Sequence, residues 1–302
     1  MMEEFIIGVD SGGTSTVAEA YSLDGQLIGR SQTGFGNLLI DKEKALANLK
    51  EAVTSVLDPL DAKYCKGILL GIAGIDTGDY KQVVYNLFAD LNVKKVIVND
   101  AWLAHYALLE GEDGCLVISG TGSVAIGRYN GEEARVGGWG HLLGDEGSGY
   151  AISRRLIKDV LNAYDDNREW RPLEQKLFNQ GLFQEPFEIA RFVYQASKDQ
   201  VADLSKFISQ EADKQDEQAI AILEQAGEDL GRQVLQLFHK LGQPDVKRVA
   251  VTGSVLQNNT IVYKSFKDKI LSEVESCQFV RKQISNTVGA LYYFKKKGIS
   301  KD

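Results

Sequence analysis

Two short turns rich in glycine and hydroxyl side chains carry the residue types that bind phosphate. The first follows an apolar run and reads Asp10-Ser11-Gly12-Gly13-Thr14; the second also follows an apolar run and reads Ser119-Gly120-Thr121-Gly122-Ser123. Glycines lack the Cβ that would hold an anion away from the backbone amides, and the threonines add hydroxyl donors. Asp10 stands where a carboxylate could hold hydrated Mg2+. Both turns are typical of phosphate loops, although short glycine motifs also occur in ordinary hairpins.

The two turns lie within the same order of predicted elements. Around the first, apolar residues predict strands over 5–9 and 17–21, and Asp24-Gly25 predicts a hairpin into a third strand. Around the second, the pattern predicts strands over 115–118, 124–129 and 132–136, with Asn130-Gly131 as the hairpin turn. A duplicated unit predicts two similar lobes, each presenting a phosphate loop to a shared cleft.

The predicted fold is α/β, with a duplicated βββαβαβα unit. We place the first lobe at residues 1–112, joined by a C-terminal helix at 286–302, and the second lobe at 113–285. Helical periodicity predicts an insertion in the second lobe at about 150–242, including helices over 187–197, 201–215 and 218–241. A chain of 302 residues is long enough for two domains that each bury a core.

The composition excludes several classes of function. A formal net charge of -8 argues against a nucleic-acid partner, because no domain-wide basic surface is available to neutralise phosphates. No apolar run approaches the length of a membrane span, and the first apolar segment is too short for a signal peptide, so we expect no membrane partner and a cytoplasmic protein. The three cysteines and three histidines are scattered, which indicates neither a disulfide framework nor a zinc site.

A carboxylate at the end of a predicted strand is the first candidate for binding a phosphoryl acceptor. Asp100 follows the predicted strand 95–98 and directly precedes a predicted helix, a position from which side chains of an α/β sheet reach a cleft. Its structural alternative is the N-cap of a helix that begins at Ala101, and the two roles are compatible.

Two further segments are candidates for the acceptor side. Residues 137–149 contain six glycines in thirteen positions, which favours backbone beside a cleft at Gly138, Trp139 and Gly140, with Asp145 free to bind hydroxyls. A merely structural loop is the alternative. Asn37 offers an amide that can donate to and accept from a sugar hydroxyl at once, with a helix-entry loop as the alternative reading.

Taken together, these motifs resemble those of the N-acetylglucosamine kinase and BadF-type ATPase family, in the actin, sugar-kinase and Hsp70 superfamily. The resemblance covers nearly the whole chain in the family's order, and its motifs are Gly8 to Thr14, Asn99-Asp100-Ala101, Ile118 to Ser123, Gly137 to Ser148 and Thr252-Gly253-Ser254. It implies two ribonuclease H-like, actin-like ATPase lobes. The segment Gly137 to Ser148 is the most specific motif and points to the amino-sugar kinase branch.

The resemblance implies a role for each candidate residue. The ATP phosphates would contact Gly12, Gly13, Thr14, Gly120, Thr121 and Gly122. The adenosine side would contact Gly253 and Ser254, with Ala212 lining the adenine pocket, and Asp10 would orient Mg2+ through water. The sugar would be held by Asn37, Asp100, Gly138, Trp139, Gly140 and Asp145.

The implied reaction is phosphoryl transfer from ATP to an amino sugar, with a homodimer as the candidate assembly. Asp100 would accept the proton of the attacking 6-hydroxyl of N-acetylglucosamine, while backbone amides and Mg2+ stabilise the charge on the γ-phosphoryl group. Closure of two lobes would exclude water, which would otherwise compete as the acceptor.

Three alternatives stay open. Animal-type N-acetylglucosamine kinases carry an aromatic residue shortly after the asparagine, where this chain has Leu38, Leu39 and Ile40, so glucosamine, N-acetylmuramic acid or N-acetylmannosamine could be the acceptor. A BadF-type conformational ATPase that acts on a protein partner is the second. A ligand sensor without catalysis is the third. The iron-sulfur cluster of the dehydratase-activating branch is disfavoured, because the cysteines lack paired spacing.

Overall fold

The computed structural model describes residues 3–179, 183–245 and 247–298. The last four residues of the C-terminal helix predicted at 286–302 therefore lie outside the described residues. The chain divides into two compact units: unit 1 comprises Met1–Asp113 with Lys282–Asp302, and unit 2 comprises Gly114–Arg281.

Unit 1 contains a five-stranded mixed sheet in the order β3-β2-β1-β4-β5. β1, β2 and β3 pair antiparallel, whereas β1, β4 and β5 pair parallel. The strands are β1 Phe5–Ser11, β2 Thr16–Ser22, β3 Leu27–Thr33, β4 Cys65–Ile72 and β5 Lys94–Val98. The helices that alternate with the parallel strands are α1 Lys42–Leu57, α2 Tyr80–Leu87 and α3 Asp100–Leu108.

Unit 2 repeats this sheet, in the equivalent order β10-β9-β6-β7-β8. Its strands are β6 Gly114–Ser119, β7 Ser123–Tyr129, β8 Glu132–Gly137, β9 Arg248–Thr252 and β10 Gln278–Val280. Between β8 and β9 lie α4 Gly149–Asp165, α5 Pro172–Asn179, α6 Pro186–Gln195, α7 Lys198–Ala202, α8 Leu204–Asp213 and α9 Glu217–Lys240; after β9 come α10 Ser254–Asn258 and α11 Thr260–Leu271.

The segment predicted as one helix over 201–215 is two helices, α7 and α8, and it starts earlier than expected. Ser197 accepts a hydrogen bond from the Gln200 amide, and the Gln200 side chain accepts one from the Ser197 amide. This capping box satisfies amides at the first turn, so α7 begins at Lys198.

The chain returns to unit 1 through a short 3-10 helix, Asn286–Val288, which leads into the last helix, α12 Gly289–Lys297. The prediction of one continuous helix from residue 286 is therefore wrong at its start. α12 packs with α3 on one face of the first sheet, where Leu103, Tyr106, Leu291 and Phe294 are buried together.

The apolar runs of β1 and β4 are continuous because both faces of the first sheet are covered. Successive strand side chains point to opposite faces. Phe5 and Ile7 join the core under α1 and α2, whereas Ile6 joins the core under α3 and α12. This arrangement buries β1 on both sides and leaves its carboxyl end at the edge of the sheet.

Candidate active site

Acidic side chains of unit 1 gather at one edge of its sheet. β1, β4 and β5 are parallel, so their carboxyl ends share that edge, which is where ligands bind in open α/β sheets. Asp10 is the penultimate residue of β1, Asp76 follows β4, and Asp100 follows β5. The sheet topology thus brings together carboxylates that are far apart in the chain.

Asp100 is the first residue of α3, not its N-cap. The cap is Asn99, whose side-chain oxygen accepts a hydrogen bond from the Ala101 amide at 3.0 Å. Asp100 Oδ1 also accepts from that amide at 3.0 Å. The pKa of Asp100 is raised to about 6, chiefly by burial and also by the charges of Asp10 and Asp76, while the backbone amide hydrogen bond opposes the increase. A carboxylate with a pKa near 6 is ionised at neutral pH and can still take up a proton.

Asp10 is held by a residue from the far end of the chain. Asn286 Nδ2 donates to Asp10 Oδ2 at 3.0 Å. Burial raises the pKa of Asp10, the hydrogen bond from Asn286 offsets part of that increase, and the nearby charge of Glu19 adds to it. A bound cation would favour the ionised form, so this half-buried carboxylate fits a metal-orienting role.

The segment that carries Asn286 is fixed by a buried carboxylate. Glu19 Oε2 accepts hydrogen bonds from Ser285 Oγ at 2.6 Å, from Tyr21 Oη at 2.7 Å, and from Thr287 Oγ1. Gly8 belongs to this packing, because a Cβ added there would lie 1.9 Å from the Thr287 carbonyl oxygen. Gly8, which stands in the first motif, therefore serves the approach of this segment to β1.

The loop that carries Asn37 is tied to the first glycine turn. The Gly36 amide donates to the Gly12 carbonyl at 2.8 Å. Asn37 Oδ1 accepts from the Leu39 amide at 3.0 Å, so its oxygen is engaged within its own loop. The amide nitrogen is then the group that can point to a ligand.

The glycines of the first turn are not required by the fold. Gly13 is exposed, its backbone does not have positive φ, and a Cβ added there would meet no atom within 4 Å. Thr14 beside it is exposed as well. Open space at a glycine is the pattern expected where a ligand, rather than the protein, approaches the backbone.

The second turn lines a cleft within unit 2 together with the segment after β9. The cleft has a volume of about 250 Å³, and Gly120, Thr121 and Ser254 lie on its surface with Ser205 and Asn259. Three residues predicted to bind ATP are therefore neighbours in one cavity. Ser205 and Asn259 were missed by the sequence analysis, because neither stands in a recognisable motif.

Gly253 and Ala212 differ from Ser254 in what surrounds them. A Cβ on Gly253 would lie 2.3 Å from the Ser119 carbonyl oxygen, and its φ is +91°, so the end of β6 and the backbone geometry both require glycine. Ala212 is 1% exposed and belongs to the apolar core of unit 2. It is not among the described residues that line the cleft, whereas Ser209, one turn earlier on α8, is.

The glycine-rich segment between β8 and α4 is exposed or half-buried over residues 137–143 and mostly buried from Gly144 onward. Gly138 and Gly140 have positive φ, and Trp139 between them is 67% exposed, with the Arg135 guanidinium 4.5 Å from its ring centroid. Asp145 in contrast is buried, and its carboxylate is not free: Oδ2 accepts from Lys198 Nζ at 2.7 Å. Its backbone has φ +61°, an uncommon conformation for a residue with a side chain.

Two adjacent residues of α7 contact the second turn, and the sequence analysis missed both. Lys198 forms the ion pair with Asp145, and Asp199 Oδ1 accepts from Thr121 Oγ1 at 2.8 Å. The capping box at Ser197 and Gln200 was the one available sequence signal, and it marks only where the helix begins.

The donor set fits Mg2+ held together with a phosphate substrate. Mg2+ is commonly bound through one or two carboxylates, with waters and phosphate oxygens completing its shell. Asp10, next to the first glycine turn, supplies such a carboxylate. Within residues 3–179, 183–245 and 247–298, no three histidine, cysteine or acidic side chains converge as in an all-protein metal cage. In the same ranges, every helix is too short or too polar for a transmembrane span.

Comparison with known proteins gives relatives along almost the whole chain. An N-acetylmuramic acid/N-acetylglucosamine kinase of Clostridium acetobutylicum is 31% identical over 273 residues, covering 87% of this chain and 89% of the relative. An N-acetyl-D-glucosamine kinase of Dictyostelium discoideum is 27% identical over 310 residues, covering 96% and 97%.

A solved structure from Chromobacterium violaceum, provisionally identified as an N-acetylglucosamine kinase, matches with a TM-score of 0.73 at 23% identity. The match covers 96% of this chain and 99% of that one. This likeness confirms the predicted fold of two actin-like α/β repeats. The sequence profile of the BadF/BadG/BcrA/BcrD ATPase family matches residues 7–293, and the chain belongs to that family.

Proposed function

We propose that this protein is an ATP-dependent sugar kinase that transfers the γ-phosphoryl group of ATP to the 6-hydroxyl of N-acetylglucosamine. The observation that carries the proposal is Asp100, a half-buried carboxylate beside the carboxyl ends of β1, β4 and β5, with its pKa raised to about 6. Phosphoryl transfer needs alignment of the reactants, neutralisation of charge and one group to receive the acceptor's proton.

Asp100 receives that proton. The acceptor oxygen forms a bond to phosphorus while the bond from phosphorus to the β,γ-bridging oxygen breaks, and the electron pair leaves with ADP. The proton of the sugar hydroxyl passes to Asp100. The position of Asp100 at the start of α3 supports this role, because the Ala101 amide holds one carboxylate oxygen and thereby sets the direction of the other.

Each unit, taken by itself, carries backbone and hydroxyl groups suited to the nucleotide. In unit 2, Gly120, Thr121 and Ser254 share a cleft, which supports binding of the phosphates and the adenosine side there. In unit 1, the open space at Gly13 supports an approach of phosphate to the first turn. Asp10, with Oδ2 held by Asn286, would hold Mg2+ through water, and the ion would neutralise charge on the phosphates of ATP.

The residues that we assign to the sugar are Asn37 and Asp100 in unit 1, and Gly138, Trp139, Gly140 and Asp145 in unit 2. The names of the two curated relatives support an amino sugar as the acceptor. Asn37 is suited to an acetamide or hydroxyl group, because its Oδ1 accepts from the Leu39 amide and its amide nitrogen can donate to a ligand. Because ATP is the phosphoryl donor, we infer a cytoplasmic location, with a homodimer as the candidate assembly.

The test is ADP release in the presence of Mg2+, measured with N-acetylglucosamine, glucosamine, N-acetylmuramic acid, N-acetylmannosamine, glucose and no sugar. We expect strong stimulation by N-acetylglucosamine, with a product phosphorylated at the 6-hydroxyl by nuclear magnetic resonance. Stimulation by another amino sugar would support the kinase activity and would replace N-acetylglucosamine as the proposed acceptor. ADP release that no sugar changes would overturn the kinase and favour an ATPase that acts on a protein partner, as the family's description allows.

A further inference from the structure

A lysine of the helical insertion lies directly against the second glycine turn. Lys198 is the first residue of α7, and its Nζ lies 2.7 Å from Asp145 Oδ2. A Cβ added to Gly122 would lie 2.7 Å from Lys198 Nζ and 2.8 Å from Asp145 Oδ2. The ammonium and carboxylate therefore occupy the space that a side chain at position 122 would fill. Gly122 is the residue that admits this charge pair to the turn.

The neighbouring residue holds α7 on the same turn. Asp199 Oδ1 accepts a hydrogen bond from Thr121 Oγ1 at 2.8 Å. Two consecutive residues of α7 thus hold the helix at this turn: Asp199 bonds to Thr121, and Lys198 pairs with Asp145 beside Gly122. Such a double contact fixes where the ammonium group lies relative to the turn.

The ion pair between Lys198 and Asp145 is poorly explained by a contribution to stability alone. Asp145 is 3% exposed and its backbone has φ +61°, a conformation that costs on the order of 1 kcal/mol for a residue with a side chain. A buried ion pair often gains little net stability, because desolvation of the charges offsets their attraction. Strained residues with buried charge concentrate at ligand sites.

We propose that Lys198 binds the terminal phosphates of ATP, and that Asp145 is its partner when nucleotide is absent. The proposal rests on the proposed kinase function and names one more residue of its nucleotide site. Lysine is a flexible point charge that suits phosphate oxygens, and glycine turns present amides to the same anion. Lys198 neutralises charge on the phosphates, while the acceptor's proton goes to Asp100.

Lys206 lines the cleft of unit 2, and its surroundings differ from those of Lys198. It pairs with Asp203 at 2.6 Å, three residues earlier, and its side chain is 75% exposed. Lys198, with a side chain only 33% exposed, lies against the turn. A partly desolvated charge interacts more strongly with phosphate than a fully solvated one.

The test compares binding of ATP with binding of adenosine by calorimetry, without sugar. Lys198→Met keeps the aliphatic stem and removes the charge, and we expect ATP binding to weaken about tenfold or more, with adenosine binding within about twofold of wild type. Lys198→Arg keeps the charge and should recover most of the ATP affinity. Lys269→Met is the matched control, because Lys269 is also partly buried and ion-paired, with Glu273.

Equal weakening of ATP and adenosine binding, or no change in either, would overturn the proposal, since a structural anchor affects both ligands alike. If Lys198→Met does not fold, Asp145→Asn provides the test. The proposal expects the affinity for ATP to stay unchanged or to increase. A loss of ATP affinity would show that the ion pair has a structural role and would overturn the proposal. Failure of the kinase proposal is seen separately, as absence of sugar-dependent ADP release by the wild type.

Discussion

Asn286 donates a hydrogen bond to Asp10 Oδ2 at 3.0 Å, although the two residues are 276 positions apart. The residues on either side of Asn286 are both bonded to Glu19, so the asparagine is held at a defined position. The return of the chain to unit 1 thereby orients a carboxylate that the glycine motif alone would leave free to rotate.

Replacing Asn286 by alanine should impair the use of Mg2+ more than the fold. The hydrogen bond lowers the pKa of Asp10 against the effect of burial, so its loss raises that pKa and frees the carboxylate. We expect the Mg2+ concentration for half-maximal activity to rise about tenfold, and the loss of activity at acidic pH to begin at a higher pH than in the wild type. Asn86→Ala, at an exposed site on α2, is the control; an unchanged Mg2+ requirement in Asn286→Ala would contradict the role.

Glu19→Gln should destabilise unit 1 at neutral pH. Burial opposes ionisation of Glu19, but hydrogen bonds from Ser285, Thr287 and Tyr21 and the charge of Arg30 outweigh it, and the pKa is lowered. A lowered pKa contributes stability that is present above the unfolded value and is lost as pH falls through the folded value. Urea unfolding should show a loss of about 2 kcal/mol at pH 7. The difference in unfolding free energy between variant and wild type should stay constant above about pH 4.5 and shrink as the pH falls below it; a difference that does not change with pH would contradict the assignment.

Asp100→Asn should abolish sugar phosphorylation and stabilise the protein. The amide cannot accept the hydroxyl proton, so we expect a loss of about 1,000-fold or more in kcat, with ATP binding largely intact. The pKa of Asp100 in the folded protein is raised to about 6, so ionisation of this carboxylate destabilises the fold. The free energy of unfolding of the wild type should therefore fall as the pH rises from about 4 through 6. The variant should therefore unfold at a higher temperature than wild type at pH 8, and show no such gain at pH 4. Undiminished turnover would refute the assignment.

The pH dependence of the wild type offers a second check on Asp100. We expect kcat/KM for the sugar to fall below a pH of about 6, where Asp100 becomes protonated. The measurement is sugar-dependent ADP release between pH 5 and pH 8 at saturating ATP and Mg2+. An activity that stays constant down to pH 5 would exclude a base with this pKa.

Two glycine substitutions should separate ligand binding from folding. Gly13→Ala meets open space, so we expect normal unfolding but ATP binding weakened about tenfold. Gly253→Ala meets the Ser119 carbonyl oxygen at 2.3 Å with φ +91°, so we expect a loss of about 2 kcal/mol or more, or failure to fold. Thermal unfolding and calorimetry with ATP measure both effects. If Gly13→Ala instead destabilised the fold and left ATP binding unchanged, the first turn would have a structural role.

The duplicated βββαβαβα fold could be predicted from the sequence because its signals are local. The apolar run from Phe5 to Ile7, glycine turns after apolar runs and a carboxylate directly after a strand all appear within a few residues. Parallel strands then place Asp10 and Asp100 at one edge of the sheet, because carboxyl ends of parallel strands coincide.

Other relationships were decided only by the tertiary structure. The bonds of Asn286 to Asp10 and Lys198 to Asp145 join segments with no shared motif, and the burial of Ala212 depends on which helices cover α8. Such contacts depend on how distant elements pack, and neither periodicity nor composition encodes them at the residues concerned. The sequence by itself therefore determined which residue types stand at the ends of the strands, and the packed structure decided which distant side chains hold them in place.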